Sequence, residues 1–184
     1  DVETDNGITG CAYAFGYTKH TLKPLMALVE ELRPELIGQP VVPYARMCQM
    51  QQRFRLLGLQ GLLGMLISTL DMAYWDALGK ASGMAVVALL GGEVTPVRAY
   101  DSYGMVDPKQ DARALKHSLE QGFRAIKIKA GYEDPVKEIE VVSAIRKLIG
   151  PDIALMVDFN QSLSPSEAIR RVRALEAFDL YWVE

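Results

Sequence analysis

Four apolar runs recur at a nearly constant spacing in the C-terminal half of the chain, and this repeat constrains the fold more than any other feature. Their first residues are Val97, Phe123, Ile153 and Leu180. These starts are 26, 30 and 27 residues apart, and amphipathic segments separate them, at about 109–121, 135–148 and 165–178. Strands that alternate with helices at this period predict βαβ units, a parallel sheet and right-handed crossovers.

Polar side chains gather where these strands are expected to end. They are Tyr100, Asp101 and Ser102, then Lys127 and Lys129, then Asp158 and Asn160, and finally Glu184. The C-terminal ends of parallel strands carry the active sites of both (β/α)8 barrels and open α/β sheets. Because four consecutive strands contribute, whereas an open sheet concentrates its site at one switch point, the pattern favours a (β/α)8 TIM-type barrel. A complete barrel takes about 250 residues, so we expect only about its first four strands here.

The residues before this repeat predict a separate domain, at 1–92, ahead of the barrel domain at 93–184. The segment from Gly7 to Tyr17 alternates loosely and predicts a strand or a hairpin arm. Helical spacing then predicts four helices, at about 21–38, 44–56, 60–80 and 84–90. The chain begins without Met and stops within an apolar run, so we expect it to be a piece of a longer protein.

Lys127 and Lys129 lie two residues apart in the run FRAIKIKAGY, and a strand therefore places both on one face. An edge strand that uses lysine against aggregation would also explain them, but this run is internal to the series. Ile126 and Ile128 suit the face covered by helices, which leaves the two lysines on the inner face. A desolvated lysine beside a second cation has a lowered pKa, as a general base requires.

Asp158 and Asn160 repeat the same spacing on the next strand, and Glu184 ends the strand after that. Carboxylates at these positions serve either as ion-pair partners of the lysines or as ligands of a hard divalent cation such as Mg²⁺. Two carboxylates make a sparse metal site, so the second alternative calls for a third acidic ligand outside this chain. Spacing alone does not choose between the two alternatives.

Composition limits the classes of partner. The net charge of −3 gives no electrostatic reason to expect a nucleic acid or an anionic membrane. The longest apolar-rich stretch, 56–70, is interrupted by glycines and polar residues and falls short of the roughly 20 residues of a membrane span. No signal-peptide pattern is visible, and Cys11 and Cys48 lack CxxC spacing. We therefore expect reduced thiols and a cytoplasmic location.

Several of these segments resemble one enzyme family. STLDMAYWDALGKASGMAVVALLGG, residues 68–92, is similar to the signature helix of the mandelate racemase/muconate-lactonizing branch of the enolase superfamily. AYDSYG, FRAIKIKAGY, VDFNQSL and YWVE resemble the first four barrel strands of that branch, most closely those of mandelate racemase-like members. The intervals of 29 and 26 residues from Lys129 to Asp158 to Glu184 match the family's order of base and metal ligands. Thr69 and Tyr74 depart from the usual signature.

This resemblance implies part of an α+β capping domain followed by the first half of a (β/α)8 barrel. It implies Mg²⁺-dependent abstraction of the α-proton of a small carboxylate substrate, through an enediolate intermediate. By this analogy Lys129 is the general base, while Lys127 contacts the substrate carboxylate and lowers the pKa of Lys129. The metal ligands would be Asp158 and Glu184.

Asn160 and Ser102 would donate hydrogen bonds to the substrate, and the protein would be a homo-oligomer. The expected reaction is that of a racemase or an acid-sugar dehydratase acting on a 2-hydroxy acid, with a muconate cycloisomerase or a dipeptide epimerase as the alternative. Two other classes stay open: an α/β enzyme with a Schiff-base lysine, and a catalytically inactive structural protein. We expect the 184-residue chain by itself to be inactive, because half a barrel leaves open strand edges.

Overall fold

The computed structural model describes residues Asp1–Glu184, and the chain divides into two compact units. The first unit is Asp1–Thr95 and the second is Pro96–Glu184. Each unit has a hydrophobic core of its own. No helix of the structure combines the length and the apolar character that a membrane crossing needs.

The N-terminal unit consists of a short antiparallel pair of strands and four helices. The strands are β1 (Val2–Glu3) and β2 (Thr9–Gly10), and the helices are α1 (Lys19–Leu36), α2 (Pro43–Arg53), α3 (Gly61–Ser82) and α4 (Val86–Leu89). Its core is formed by Leu25, Leu32, Met50, Leu66 and Ile67. The four helices predicted from the spacing are confirmed.

The strand expected between Gly7 and Tyr17 is much shorter in the structure, and β2 ends at Gly10. The next backbone N–H, that of Cys11, donates to Asp76 Oδ2 on α3 at 2.7 Å instead of to a neighbouring strand. Gly10 itself lies so close to α3 that a Cβ there would stand 2.0 Å from the carbonyl oxygen of Ala73. The contact with α3 therefore ends the strand pairing at this point.

The C-terminal unit is an alternation of strands and helices, as the sequence repeat predicts. The strands are β3 (Asp101–Met105), β4 (Ala125–Lys129), β5 (Ala154–Asp158) and β6 (Leu180–Val183). The helices are α5 (Ala112–Glu120), α6 (Pro135–Ile149) and α7 (Pro165–Leu175), and a short 3₁₀ helix (Glu176–Phe178) follows α7. All neighbouring strands are parallel, in the order β3-β4-β5-β6, so the α/β class is confirmed.

One face of this sheet is covered by the helices and carries the core. Ile126, Ile128, Leu155 and Val157 are completely buried there, together with Ile145 of α6. Because side chains alternate along a strand, the residues between them lie on the opposite face of the sheet. That opposite face includes Lys127, Lys129 and Asp158.

Candidate active site

The pairing of β4 with β5 brings the two lysines to a buried carboxylate. Lys129 is level with Asp158 in the parallel ladder, and Lys127 is level with Met156. Lys127 Nζ lies 3.0 Å from Asp158 Oδ2, and Lys129 Nζ lies 3.7 Å from the same oxygen. The Asp158 side chain is 2% exposed, whereas the side chains of Lys127 and Lys129 are 13% and 39% exposed. One carboxylate therefore faces two ammonium groups at the end of the sheet.

Glu184 lies beside this group because the ladder between β5 and β6 continues past Val183. The N–H of Phe159 donates to the carbonyl oxygen of Glu184 at 2.8 Å, and the N–H of Glu184 donates to that of Val157 at 2.9 Å. Glu184 Oε2 lies 3.7 Å from Lys127 Nζ, and the side chain is 62% exposed. The two carboxylates thus flank the same ammonium group, one buried and one open to solvent.

Asn160 connects the carboxylate to the second lysine. Its backbone N–H donates to Asp158 Oδ1 at 2.7 Å, and its side-chain amide donates to Asp158 Oδ2 at 3.1 Å. Lys129 Nζ donates to the side-chain oxygen of Asn160. Asn160 adopts a left-handed backbone conformation, with φ of 48°, which asparagine tolerates better than most residues. This turn aims both polar ends of the side chain at the site.

Tyr100, Asp101 and Ser102 do not lie at the C-terminal end of their strand, and the prediction that they do is wrong. The strand β3 begins at Asp101 and runs to Met105. Asp101 Oδ2 accepts a hydrogen bond of 2.5 Å from Ser118 Oγ on α5, so this carboxylate lies on the helix-covered face of the sheet. Ser102 is level with Lys127 in the ladder and is exposed. It shares the face of the lysines but lies two ladder positions before Lys129.

The electrostatics of Lys127 differ from the expectation. The hydrogen bond to Asp158 raises the pKa of Lys127 by more than burial lowers it, and Glu184 adds to the increase. The prediction of a lowered pKa is therefore wrong for Lys127. Burial raises the pKa of Asp158, but the backbone N–H of Asn160 and the two lysines together hold that pKa below its ordinary value. The ion pair between Asp158 and Lys127 is present in the structure, and the position of this carboxylate at the strand end also suits a metal ligand.

The donor set also fits a hard cation. Asp158 and Glu184 are oxygen donors on neighbouring strand ends, and Mg²⁺ is commonly held by one or two carboxylates together with water and substrate oxygens. No group of three His, Cys, Asp or Glu side chains that could hold a metal ion is present in the structure. The residues of this chain therefore fit two protein ligands of such an ion and not a complete protein cage.

An aromatic pair beside Lys127 was not identified from the sequence. The Tyr100 ring centre lies 5.9 Å from Lys127 Nζ, and Tyr100 meets Trp182 edge to face at 5.9 Å. Both line a cavity of about 710 Å³ that also touches Met156 on β5. The sequence indicates the position of Trp182 in part, because Trp182 precedes Glu184 by two residues and therefore lies on the same face of the strand. The inner face of the sheet thus has a charged end and an apolar, aromatic middle.

Comparisons with known proteins agree across both units. Residues 1–91 match the family described as mandelate racemase/muconate lactonizing enzyme, N-terminal domain, and residues 110–184 match the enolase C-terminal domain-like family. The chain is 33% identical over 190 residues to a 3,6-anhydro-alpha-L-galactonate cycloisomerase of Streptomyces coelicolor, covering 100% of this chain and 52% of that protein. It is 29% identical over 197 residues to an arabinonate dehydratase of Saccharolobus solfataricus, covering 100% of this chain and 50% of that protein.

Among solved structures, an enolase from Bradyrhizobium crystallised with magnesium and mandelic acid superposes with a TM-score of 0.94 at 53% identity. The match covers 100% of this chain and 51% of that one. The chain spans about half the length of the curated relatives it matches. The four-stranded parallel sheet is therefore part of a TIM-type barrel, as the sequence predicted.

Proposed function

The chain belongs to the mandelate racemase/muconate lactonizing branch of the enolase superfamily, and from this premise we propose that its lysine–carboxylate site supports abstraction of the α-proton of a carboxylate substrate. The reaction would be Mg²⁺-dependent, and the substrate would be a 2-hydroxy acid. The proposal concerns the whole protein, because this chain spans only about half the length of its relatives.

The observation that carries this proposal is the convergence of two ammonium groups on one buried carboxylate. Lys127 Nζ and Lys129 Nζ lie 3.0 and 3.7 Å from Asp158 Oδ2, and Glu184 Oε2 lies 3.7 Å from Lys127 Nζ. An α-proton next to a carboxylate is very weakly acidic, because its removal concentrates negative charge on the substrate. Preorganised cations around that charge lower the free energy of the transition state.

The two lysines are proposed to have different tasks. Lys129 is the more exposed, so a substrate reaches its amine first, and it is the proposed general base. Lys127 is more buried and is held protonated by Asp158, whose hydrogen bond raises its pKa. A charged Lys127 is suited to bind the substrate carboxylate.

Asp158 and Glu184 are the proposed Mg²⁺ ligands of this chain. When bound, the ion would supply positive charge that stabilises a developing dianion. Asn160 orients Asp158 through two hydrogen bonds and is a proposed donor to the substrate. Ser102, on the same face and level with Lys127, is a second proposed donor.

The subclass is best supported as a racemase or an acid-sugar dehydratase. One relative is described as an arabinonate dehydratase and a solved structure contains mandelic acid, which is a 2-hydroxy acid. A cycloisomerase is the second candidate, because another relative is described as a 3,6-anhydro-alpha-L-galactonate cycloisomerase. A Schiff-base mechanism at Lys127 has less support, because it requires a neutral amine and the hydrogen bond to Asp158 raises the pKa of Lys127.

Exchange of the α-proton in D₂O tests the proposal. The full-length protein that contains this chain is incubated with Mg²⁺ and with mandelate or arabinonate, and exchange is followed by NMR. We expect exchange that stops with EDTA, and a loss of about 10²–10⁴-fold in Lys129→Met. Lys127→Met should raise the KM for substrate, whereas Lys116→Met, on the exposed face of α5, should change neither value.

Two results would overturn the proposal. One is exchange by Lys129→Met at the rate of the unaltered protein. The other is a covalent adduct at Lys127 or Lys129 after borohydride reduction with a carbonyl substrate, which would support the Schiff-base class instead.

A further inference from the structure

A second buried ion pair lies behind the candidate site, between α6 and α7. Arg171 Nη1 lies 3.2 Å from Glu138 Oε2, and the side chains are 12% and 2% exposed. Neither residue belongs to the group around Asp158. A buried ion pair is weak evidence for stability, since an apolar pair of similar volume is often as stable or more so. A role other than stabilising the packing therefore explains these two buried charges better.

The pair holds the backbone immediately after Lys129. Glu138 Oε2 accepts a hydrogen bond of 2.9 Å from the N–H of Gly131. Arg171 Nη1 donates to the carbonyl oxygen of Tyr132 at 2.8 Å. One charged group thus fixes an N–H and the other fixes a carbonyl, on consecutive residues that begin two positions beyond Lys129.

The segment held in this way has a backbone conformation that requires support. Gly131 has φ of +99°, and a Cβ at that position would stand 3.0 Å from Ser162 Oγ of the β5–α7 loop. The Tyr132 hydroxyl donates to the carbonyl oxygen of Val106 at 3.2 Å, which reaches the loop after β3. The segment after β4 therefore contacts the loops that follow both neighbouring strands. Glu138 of α6 and Arg171 of α7 bind the backbone of the same segment.

We propose that Glu138 and Arg171 are positioning residues, which hold the chain after Lys129 so that its amine stays beside Asp158 and Asn160. This inference rests on the proposed function, in which Lys129 is the base. A displacement of about 1 Å at a reacting group can cost about 10²-fold in rate. Loss of the pair should therefore reduce kcat, whereas substrate binding through Lys127, on the strand interior, should be preserved.

The test replaces both charges together, in the full-length protein, with Glu138→Met/Arg171→Met. Both replacement side chains are apolar and unbranched, so no unpaired charge is buried. The matched control is Glu140→Met/Arg170→Met, which removes the same charges from exposed positions of the same two helices. The measurements are kcat and KM for α-proton exchange, and hydrogen exchange of the backbone amides at 130–132 by mass spectrometry.

We expect the double variant to lose about 10- to 100-fold in kcat, with KM within about twofold. Amides 130–132 should exchange at least about tenfold faster, while those of α6 and α7 keep their protection. A kcat equal to that of the control, or unchanged exchange at 130–132, would overturn the inference. If no substrate shows α-proton exchange in the unaltered protein, the proposed function fails, whereas amide exchange still decides whether the pair holds this segment.

A second variant covers the case in which the double variant does not fold. Glu138→Asp keeps the charge opposite Arg171 but withdraws the carboxylate by one methylene from the Gly131 N–H. We expect kcat to fall at least about fivefold with KM unchanged, as for a small misplacement of the base. A kcat equal to that of the unaltered protein would then overturn the inference. Arg171→Lys keeps a positive charge facing the carbonyl oxygen of Tyr132 and Glu138 Oε2. It should therefore retain most of the activity that the single variant Arg171→Met loses.

Discussion

The ammonium group of Lys127 lies 3.0 Å from Asp158 Oδ2, and both side chains are largely shielded from water. Asp158→Asn would leave this ammonium without its buried counter-charge. We expect the free energy of unfolding to fall by about 3 kcal/mol, as when one partner of a buried pair is removed. Urea denaturation measures the change. Glu30→Gln, which breaks an exposed pair with Arg33, is the control and should cost much less, because solvent screens an exposed pair. Equal losses in the two variants would contradict the prediction.

The same pair predicts how stability depends on pH. The pKa of Asp158 is lowered in the folded protein, so its contribution is complete above the ordinary aspartate value of about 3.9 and is lost as pH falls through the folded value. The pKa of Lys127 is raised, so its contribution is complete below about 10.4 and is lost as pH rises through its folded value.

The difference in unfolding free energy between the unaltered protein and Asp158→Asn should therefore be constant between these limits. It should shrink in acid below about pH 3.9. Denaturation curves at a series of pH values check this. A difference that shrinks near neutral pH would mean that Asp158 is not the titrating partner.

Arg146 is expected to stabilise the end of the sheet opposite the site. Its guanidinium donates at 2.7–2.9 Å to the carbonyl oxygens of Gly150, Ile153, Phe178 and Asp179. Burial lowers the pKa of this side chain, yet the group supplies four fixed donors that an ammonium cannot match in this geometry. Arg146→Lys should cost about 2 kcal/mol, since partly buried carbonyl oxygens lose their hydrogen-bond donors.

Thermal and urea denaturation test the Arg146→Lys prediction. The control is Arg173→Lys, at an exposed position of α7, which should change the stability by less than about 0.5 kcal/mol. A similar small change in Arg146→Lys would show that water replaces the lost hydrogen bonds without cost.

The sequence predicted the sheet and the shared face of the lysines because both depend on local periodicity. Strand pairing then determines which polar residues meet. Lys129 and Asp158 are 29 residues apart in sequence, and the pairing of β4 with β5 places them side by side. The position of Ser102 could not be predicted in the same way. At the start of β3, Asp101 accepts a hydrogen bond from Ser118 on α5, which is a contact between elements and leaves no periodic signal.

The ion pair between Asp158 and Lys127 was equally beyond the spacing of the sequence, which left it as one of two alternatives. Spacing gives the positions of Asp158 and Glu184 but not the charges that surround them. The raised pKa of Lys127 follows from a distance of 3.0 Å to Asp158, and only the fold supplies that distance. Glu138 was not foreseen either, since one carboxylate in an amphipathic helix looks like part of a solvent-exposed face.

A side chain at position 131 should lower the stability of the fold. The φ of Gly131, +99°, is outside the range that residues with a Cβ adopt readily, and a Cβ would stand 3.0 Å from Ser162 Oγ. Gly131→Ala should therefore lower the free energy of unfolding by about 1–2 kcal/mol. Gly104→Ala is the control, because that glycine has open space around it and no positive φ. Urea denaturation of both variants measures the effect, and equal stabilities would contradict it.

The 184-residue chain on its own is expected not to catalyse α-proton exchange. In its sheet, β3 and β6 each have one neighbouring strand, so both edges carry unpaired backbone groups. The charged end of the sheet also has only two carboxylates for a metal ion, one of them 62% exposed. NMR in D₂O with Mg²⁺ and mandelate should therefore show no exchange above a protein-free control, whereas the full-length protein should be active. Mg²⁺-dependent exchange by the 184-residue chain, abolished in Lys129→Met, would show that these four strand ends suffice for the chemistry.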